Sequence, residues 1–296
     1  MDMKRWSGII LLGTAACLLG HSAQVQQAAR DGLALCGASV IPALFPFFVV
    51  TGLAVRLDAA AALEKPMERL MGPLFRLSGA CAAPLLAGLV GGYPTGARAA
   101  AELWREGRIS REEAERLLGF CNNCGPGFIL GFVGAGVFRE SRTGAALYAI
   151  HVLSALATGW LLCRWDRREA APGLPCRALR KAPSFAAAFR ESVSGAAGST
   201  LSVCAYVVLF RALGAAARLP AAMTGLLELV SGIAALEPGA NAFAAAAGML
   251  GWGGLCVHCQ AMAVTEGLSL RRHLAGKAAQ GALSVLMAIA VGRWLY

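Results

Sequence analysis

The sequence predicts an all-α, polytopic transmembrane helical bundle built from two inverted repeats with broken or re-entrant helices. Three observations lead there. The 296-residue chain is 57% hydrophobic and only 15% charged, too little charge to cover the surface of a soluble domain of that length. Its apolar residues fall in runs of about 20, the length of a membrane-crossing helix. Several of those runs are interrupted by Gly, Pro and amide residues, in the same order in each half of the chain.

Uninterrupted spans are expected at 6–22, 33–55, 144–163, 192–217 and 276–295. The first follows Lys4 and Arg5 and resembles a signal sequence, but the number of spans after it favours an uncleaved anchor. The segments 117–138 and 241–265 are long enough to span but are interrupted. The stretches 78–101 and 219–238 carry internal breaks and are read as re-entrant hairpins or half-helices. The 36 glycines suit close helix packing in lipid. Three parts follow: a first membrane half over 1–163, a basic linker over 164–190 and a second membrane half over 191–296.

The net charge of +10 sits in short segments between the apolar runs. It reads as topology signal and not as a nucleic-acid surface. Arg164, Arg167, Arg168, Arg177, Arg180, Lys181 and Arg190 against Asp166 and Glu169 make 164–190 a cytoplasmic loop. Lys4 and Arg5, then Arg56, Lys65, Arg69 and Arg76, then Arg271, Arg272 and Lys277 place three further segments on the same side. These placements agree only if 78–101 enters and leaves on that side. The mixed charges of 102–116 then form a solvated helical linker.

A weak internal repeat accompanies this topology. Arg30-Asp31 and Ser39 parallel Arg190-Glu191 and Ser199. Leu86, Leu89, Val90 and Gly92 parallel Leu226, Leu229, Val230 and Gly232. Gly119-Phe120 with Cys124 parallels Gly251-Trp252 with Cys256. Opposed orientations of 33–55 and 192–217 would make the halves inverted, an architecture that places a solute site where the halves meet.

Three segments carry the candidate chemistry. In Gly91-Gly92-Tyr93-Pro94-Thr95-Gly96-Ala97-Arg98 the proline breaks a membrane helix. The N–H groups of a half-helix starting there favour an anion, with Arg98 one turn on. Asn122 and Asn123, with Gly125 and Pro126, supply amide donors and acceptors where hydrocarbon offers none. In the second half Glu228 lies in an apolar run, and Gly251–Gly254 lead into His258 and Gln260. Glu228 and His258 are the proton-carrying candidates. Cys121, Cys124, Cys256 and Cys259 with His258 have metal-like spacing, but they lie inside hydrophobic segments, so no metal site and no cofactor is assigned. No phosphate loop, zincin motif, nucleophile elbow or dinucleotide fingerprint occurs, and enzymatic activity is not expected.

At these segments, Gly91–Ala97, Phe120–Pro126 and Gly251–Gln260 with Glu228, the chain resembles the nucleoside-recognition (Gate) family, and within it the YlbJ-type sporulation integral membrane proteins. The resemblance extends over about 30–290. Small residues expected at two family positions are Cys124 and Cys259 here, which speaks further against a metal. The resemblance implies a role in endospore formation, moving dipicolinic acid from the mother cell across the outer forespore membrane. On that reading Arg98 and half-helix N-termini hold the dicarboxylate, and Asn122 and Asn123 bond the ring nitrogen and carboxylate oxygens. The partners expected are the lipid bilayer and a small anionic metabolite, with a homo-oligomer or sporulation membrane proteins as further ones. The alternatives are a nucleoside or other small-metabolite transporter, and a non-transporting membrane component of a sporulation complex.

Overall fold

A computed structural model describes residues 3–57, 61–165 and 184–296. Every element among them is helical. In chain order they are α1 (Met3–Gly20), α2 (Ser22–Leu35), a π-helical turn (Cys36–Val40), α3 (Ile41–Arg56), α4 (Ala61–Phe75), α5 (Ala82–Gly91), α6 (Thr95–Arg105) and α7 (Arg111–Leu117). A wide helix (Gly127–Phe138) follows, then α8 (Ser141–Trp165), α9 (Phe185–Ala216), α10 (Ala221–Leu227), α11 (Leu229–Ala234), α12 (Ala240–Trp252), α13 (Gly254–Val264) and α14 (Arg271–Leu295).

Five helices among the described residues are long and apolar enough to cross a membrane: Ser22–Ala54, Ser141–Trp165, Phe185–Ala216, Ala240–Val264 and Arg271–Leu295. Leu153, Leu201, Leu286 and Ile289 stand exposed on them, as do Trp165 and Trp294 at two of their ends. Large apolar side chains facing outward from long helices match a lipid solvent, with indoles at the interface. The chain is an integral membrane protein. Most of the basic linker expected at 164–190 lies outside the described residues.

Three sequence expectations change. The second span begins at Ser22, not at 33, because the helix runs on through the polar stretch before it. The segment 117–138 is not one helix. α7 stops at Leu117, residues 118–126 are non-helical apart from turns, and the wide helix begins only after Pro126. Lys277, read as part of a loop, lies in α14 with 0% exposure, since the last helix starts six residues earlier at Arg271.

The interrupted segments fold back on themselves. α5 and α6 form a hairpin whose tip is Gly92–Pro94. Gly88 and Gly96 meet across it so closely that a β-carbon on either would strike the Cys121 carbonyl. α10 and α11 form a shorter hairpin with its tip at Glu228, closed by Gly225 against Gly232. Each tip meets a second break. Gly92 packs on Gly125, and the Leu227–Leu229 backbone packs on Gly254. Thus each half holds one hairpin tip against one broken segment. The Leu86–Gly92 and Leu226–Gly232 match is a few residues out of register with this pairing of tips.

The halves interlock. α2 and α3 lie along α9, while α8 packs on α12 and α14. One apolar cluster, including Val40, Ile129, Leu147, Val207 and Phe243, draws on both halves. A second, including Met71, Leu85, Leu117 and Phe120, packs beneath the first hairpin.

Candidate functional site

The breaks converge on a buried polar network centred on Lys277. Its Nζ donates to the Tyr93 hydroxyl (3.1 Å), the Asn122 carbonyl (3.1 Å) and Gln280 Oε1 (2.7 Å). Gln280 Nε2 donates to Asn123 Oδ1 (3.0 Å) and to the His151 carbonyl (3.3 Å). Asn123 Nδ2 donates to the Phe120 carbonyl (2.7 Å), and the Cys124 N–H donates to His151 Nε2 (3.0 Å). Tyr93 in turn donates to the Leu250 carbonyl at 3.1 Å, just before the Gly253 break.

The local sequence explains this arrangement. His273, Lys277, Gln280 and Ser284 recur at three- and four-residue spacing on α14, and all are fully buried. His151, Ser154 and Thr158 do the same on α8. Such spacing puts each set on one helix face. In lipid those faces turn inward and bond each other, as Ser284 does to Ser154 at 2.8 Å. Gly276 lets α14 approach the non-helical segment, since a β-carbon there would overlap the Gly119 carbonyl. That approach brings the Asn122 carbonyl to Lys277.

Two cavities flank the network. The larger, about 210 Å³, lies between α3, the first hairpin and α9. Pro94 and Thr95 at the start of α6 line it, with Arg56, Arg98, Glu102 and Ser199. Arg56 meets Glu191 at 3.4 Å. Arg98 is half-buried and shares this cavity with the Glu102 carboxylate one turn further on, and among the described residues its guanidinium makes no hydrogen bond or close ion pair. The smaller, about 40 Å³, is mostly apolar and is lined by Tyr93, Cys124, Gly125, Glu228, Cys256 and Gln260. It has room for a few waters but not for a ring-sized solute.

The residues singled out from the sequence therefore divide into four groups, with His258 apart from them. Pro94, Thr95 and Arg98 face the larger cavity. Tyr93, Asn122 and Asn123 belong to the Lys277 network, while Gly92, Gly96, Gly125 and Pro126 shape the breaks. Glu228 and Gln260 line the small cavity. Glu228 caps α11, accepting from Val230 N (2.8 Å) and Ser231 N (2.6 Å). Ser231 Oγ also accepts from Arg211 (2.6 Å). Gln260 Oε1 is buried without a partner, as are both side-chain atoms of Asn122. His258 Nδ1 pairs with His273 Nε2 at 3.1 Å, and Trp252 packs edge-on against it.

Arg98 and the amides of Asn122 and Asn123 are not brought to one surface, and the Asn123 amide is already engaged at both ends. Cys124 and Cys256, the cysteines of the two matching motifs, do meet at the small cavity. Sequence reading missed Lys277, Gln280, His151 and His273. The periodic polar faces of α8 and α14 were the signal that identifies them.

In comparison with known proteins, the segment that holds the first of these breaks is similar to one family model. Residues 38–140 match the Gate model, described as nucleoside recognition. The Gate region thus contains α3, the first hairpin and the Asn122–Asn123 segment, whereas Lys277, Gln280 and Glu228 come from outside it. The chain is 34% identical over 154 residues to the sporulation integral membrane protein YlbJ of Bacillus subtilis strain 168. That match takes in 52% of this chain, and the chain spans about 38% of the relative's length. No solved structure matches.

Proposed function

We propose that this chain is a secondary transporter or facilitator for a small organic anion, dipicolinate, acting in a sporulating cell at the outer forespore membrane. The carrying observation is the cavity of about 210 Å³ whose wall includes a helix start, Pro94–Thr95, and the half-buried Arg98 and Arg56. A helix N-terminus and a guanidinium both favour carboxylates. Likeness to a sporulation membrane protein supports the physiological setting, and dipicolinate is the cargo that the resemblance at Gly91–Ala97, Phe120–Pro126 and Gly251–Gln260 implies. In this reading the anion docks between Arg56 and Arg98, on the near side of the hairpin tip. The Lys277 network closes the path beyond it.

Equilibrium binding of labelled dipicolinate to the purified full chain in detergent tests this. Saturable binding, displaced by unlabelled dipicolinate and weakened at least tenfold by Arg98→Ala, is expected. Displacement by a nucleoside but not by dipicolinate would move the assignment to nucleoside transport, in keeping with the Gate description. Binding of neither, alongside a sporulation defect on deletion, would favour a non-transporting membrane component.

A further inference from the structure

We propose that Lys277 is a proton-binding site that switches the contact between the two halves of the chain. As an ammonium, Lys277 has three N–H groups, and three oxygens receive them: Tyr93 Oη, the Asn122 carbonyl and Gln280 Oε1. The Tyr93 hydroxyl, accepting from Lys277, uses its single proton on the Leu250 carbonyl. That bond ties the first hairpin tip to the turn of α12 that leads into the Gly253 break.

As a neutral amine, Lys277 has two N–H groups and a lone pair. A buried nitrogen lone pair is stabilised by accepting from a donor. The Asn122 carbonyl has no proton to give. Gln280 presents its oxygen, and its Nε2 is committed to Asn123 and His151. Tyr93 alone among the three can donate, and its one proton then leaves Leu250. Loss of one proton from Lys277 therefore moves the hairpin tip's bond from Leu250 on α12 to Lys277 on α14 and releases the Tyr93–Leu250 tie.

The surroundings suit such a site. The groups facing Lys277 are Tyr93 at the hairpin tip, Cys121 and Cys124 in the non-helical segment, His151 on α8, His258 on α13, and His273 on its own helix. None is a carboxylate, so no fixed negative charge locks the ammonium in place. In the proton step one N–H bond of Nζ breaks, its electron pair stays on nitrogen, and the proton passes to a water reaching Tyr93 through the small cavity. The reverse step restores the tie. The switch needs no solute and is independent of what the larger cavity carries.

Hydrogen–deuterium exchange of the full chain in lipid nanodiscs, without added solute and corrected for intrinsic rates, tests it from about pH 6 to 9. Peptides covering 92–98 and 250–256 should lose protection at least tenfold with rising pH along a one-proton curve, while 200–207 on α9 stays constant. In Lys277→Met no lone pair competes for the phenol, so protection should be high at every pH. In Tyr93→Phe the tie is absent, so protection should be low at every pH. A flat wild-type profile, or a wild-type pH response in Lys277→Met, would overturn the proposal. Low protection at every pH in Lys277→Met would make Lys277 a structural brace and overturn it equally.

Discussion

The Lys277 ammonium and the Tyr93 hydroxyl, 184 positions apart in sequence, lie 3.1 Å apart in a fully buried setting. Their contact joins the last transmembrane helix to the tip of the first hairpin. Through Asn122 and Gln280 it also reaches the non-helical segment and α8. In lipid no water can replace a lost partner, so this network is where polar substitutions should matter most.

Gln280→Leu tests that directly. It would leave the Asn123 oxygen and one Lys277 N–H without partners, at a cost of about 1–3 kcal/mol. Ser284→Ala removes one neutral hydroxyl pair and should cost about 1 kcal/mol. Thermal unfolding in detergent compares them. Equal midpoints for the two variants would show that the network is not held through Gln280.

Close approach at Gly276 gives a second test. A β-carbon there would overlap the Gly119 carbonyl, whereas at Gly131 it would meet nothing within 4 Å. Gly276→Ala should therefore destabilise by about 3 kcal/mol, toward the upper end of overpacking costs, because backbone cannot yield as a side chain can. Gly131→Ala should be neutral or slightly stabilising. Similar midpoints for both would contradict the packing of α14 on the 118–126 segment.

Glu113 anchors the outer end of the first hairpin. Buried at 1% exposure, it accepts from Ser78 N and from Ser110 N, both at 2.9 Å, closing a capping box on α7. Ser110→Ala should cost about 1 kcal/mol as a lost cap. Glu113→Ala strands two backbone donors and should cost about 2–4 kcal/mol. Chemical denaturation in mixed micelles can rank the two, and the reverse order would refute the anchoring role.

Glu115 ties α7 to the loop before α14. Partial burial raises its carboxyl, but hydrogen bonds from Arg111 Nε (2.9 Å) and Ser269 N (3.0 Å) outweigh burial and leave it below 4.5. A carboxyl depressed by folding stabilises fully above its unfolded value and loses that contribution as pH falls through the lower folded value. Acidification below 4.5 should therefore loosen this tie, and Glu115→Gln should flatten that part of the stability profile. An unchanged acid limb in the variant would show that Glu115 contributes nothing there.

Much of this architecture could be read from the sequence, for a physical reason. Apolar runs of membrane length and the Gly, Pro and amide interruptions are local features, so 144–163 falls inside α8, 192–217 matches α9 to within one residue of its end, and the breaks fall at Gly92–Pro94, 118–126 and Gly253. Lys277 was hidden by its neighbours. Beside Arg271 and Arg272 it looks like an interfacial charge, and only the spacing to His273, Gln280 and Ser284 places it on the inward face. The site divided for a related reason. Arg98 and Asn123 sit near the same breaks in sequence, but the hairpin tip stands between the surfaces they serve.

Uptake of labelled dipicolinate into proteoliposomes of the full chain is the most direct test of the transport reading. Saturable uptake above protein-free liposomes is expected, reduced at least tenfold by Arg98→Ala and preserved in Ser110→Ala. No uptake by the wild-type chain under an imposed proton or sodium gradient of either direction, or equal uptake by Arg98→Ala, would contradict it.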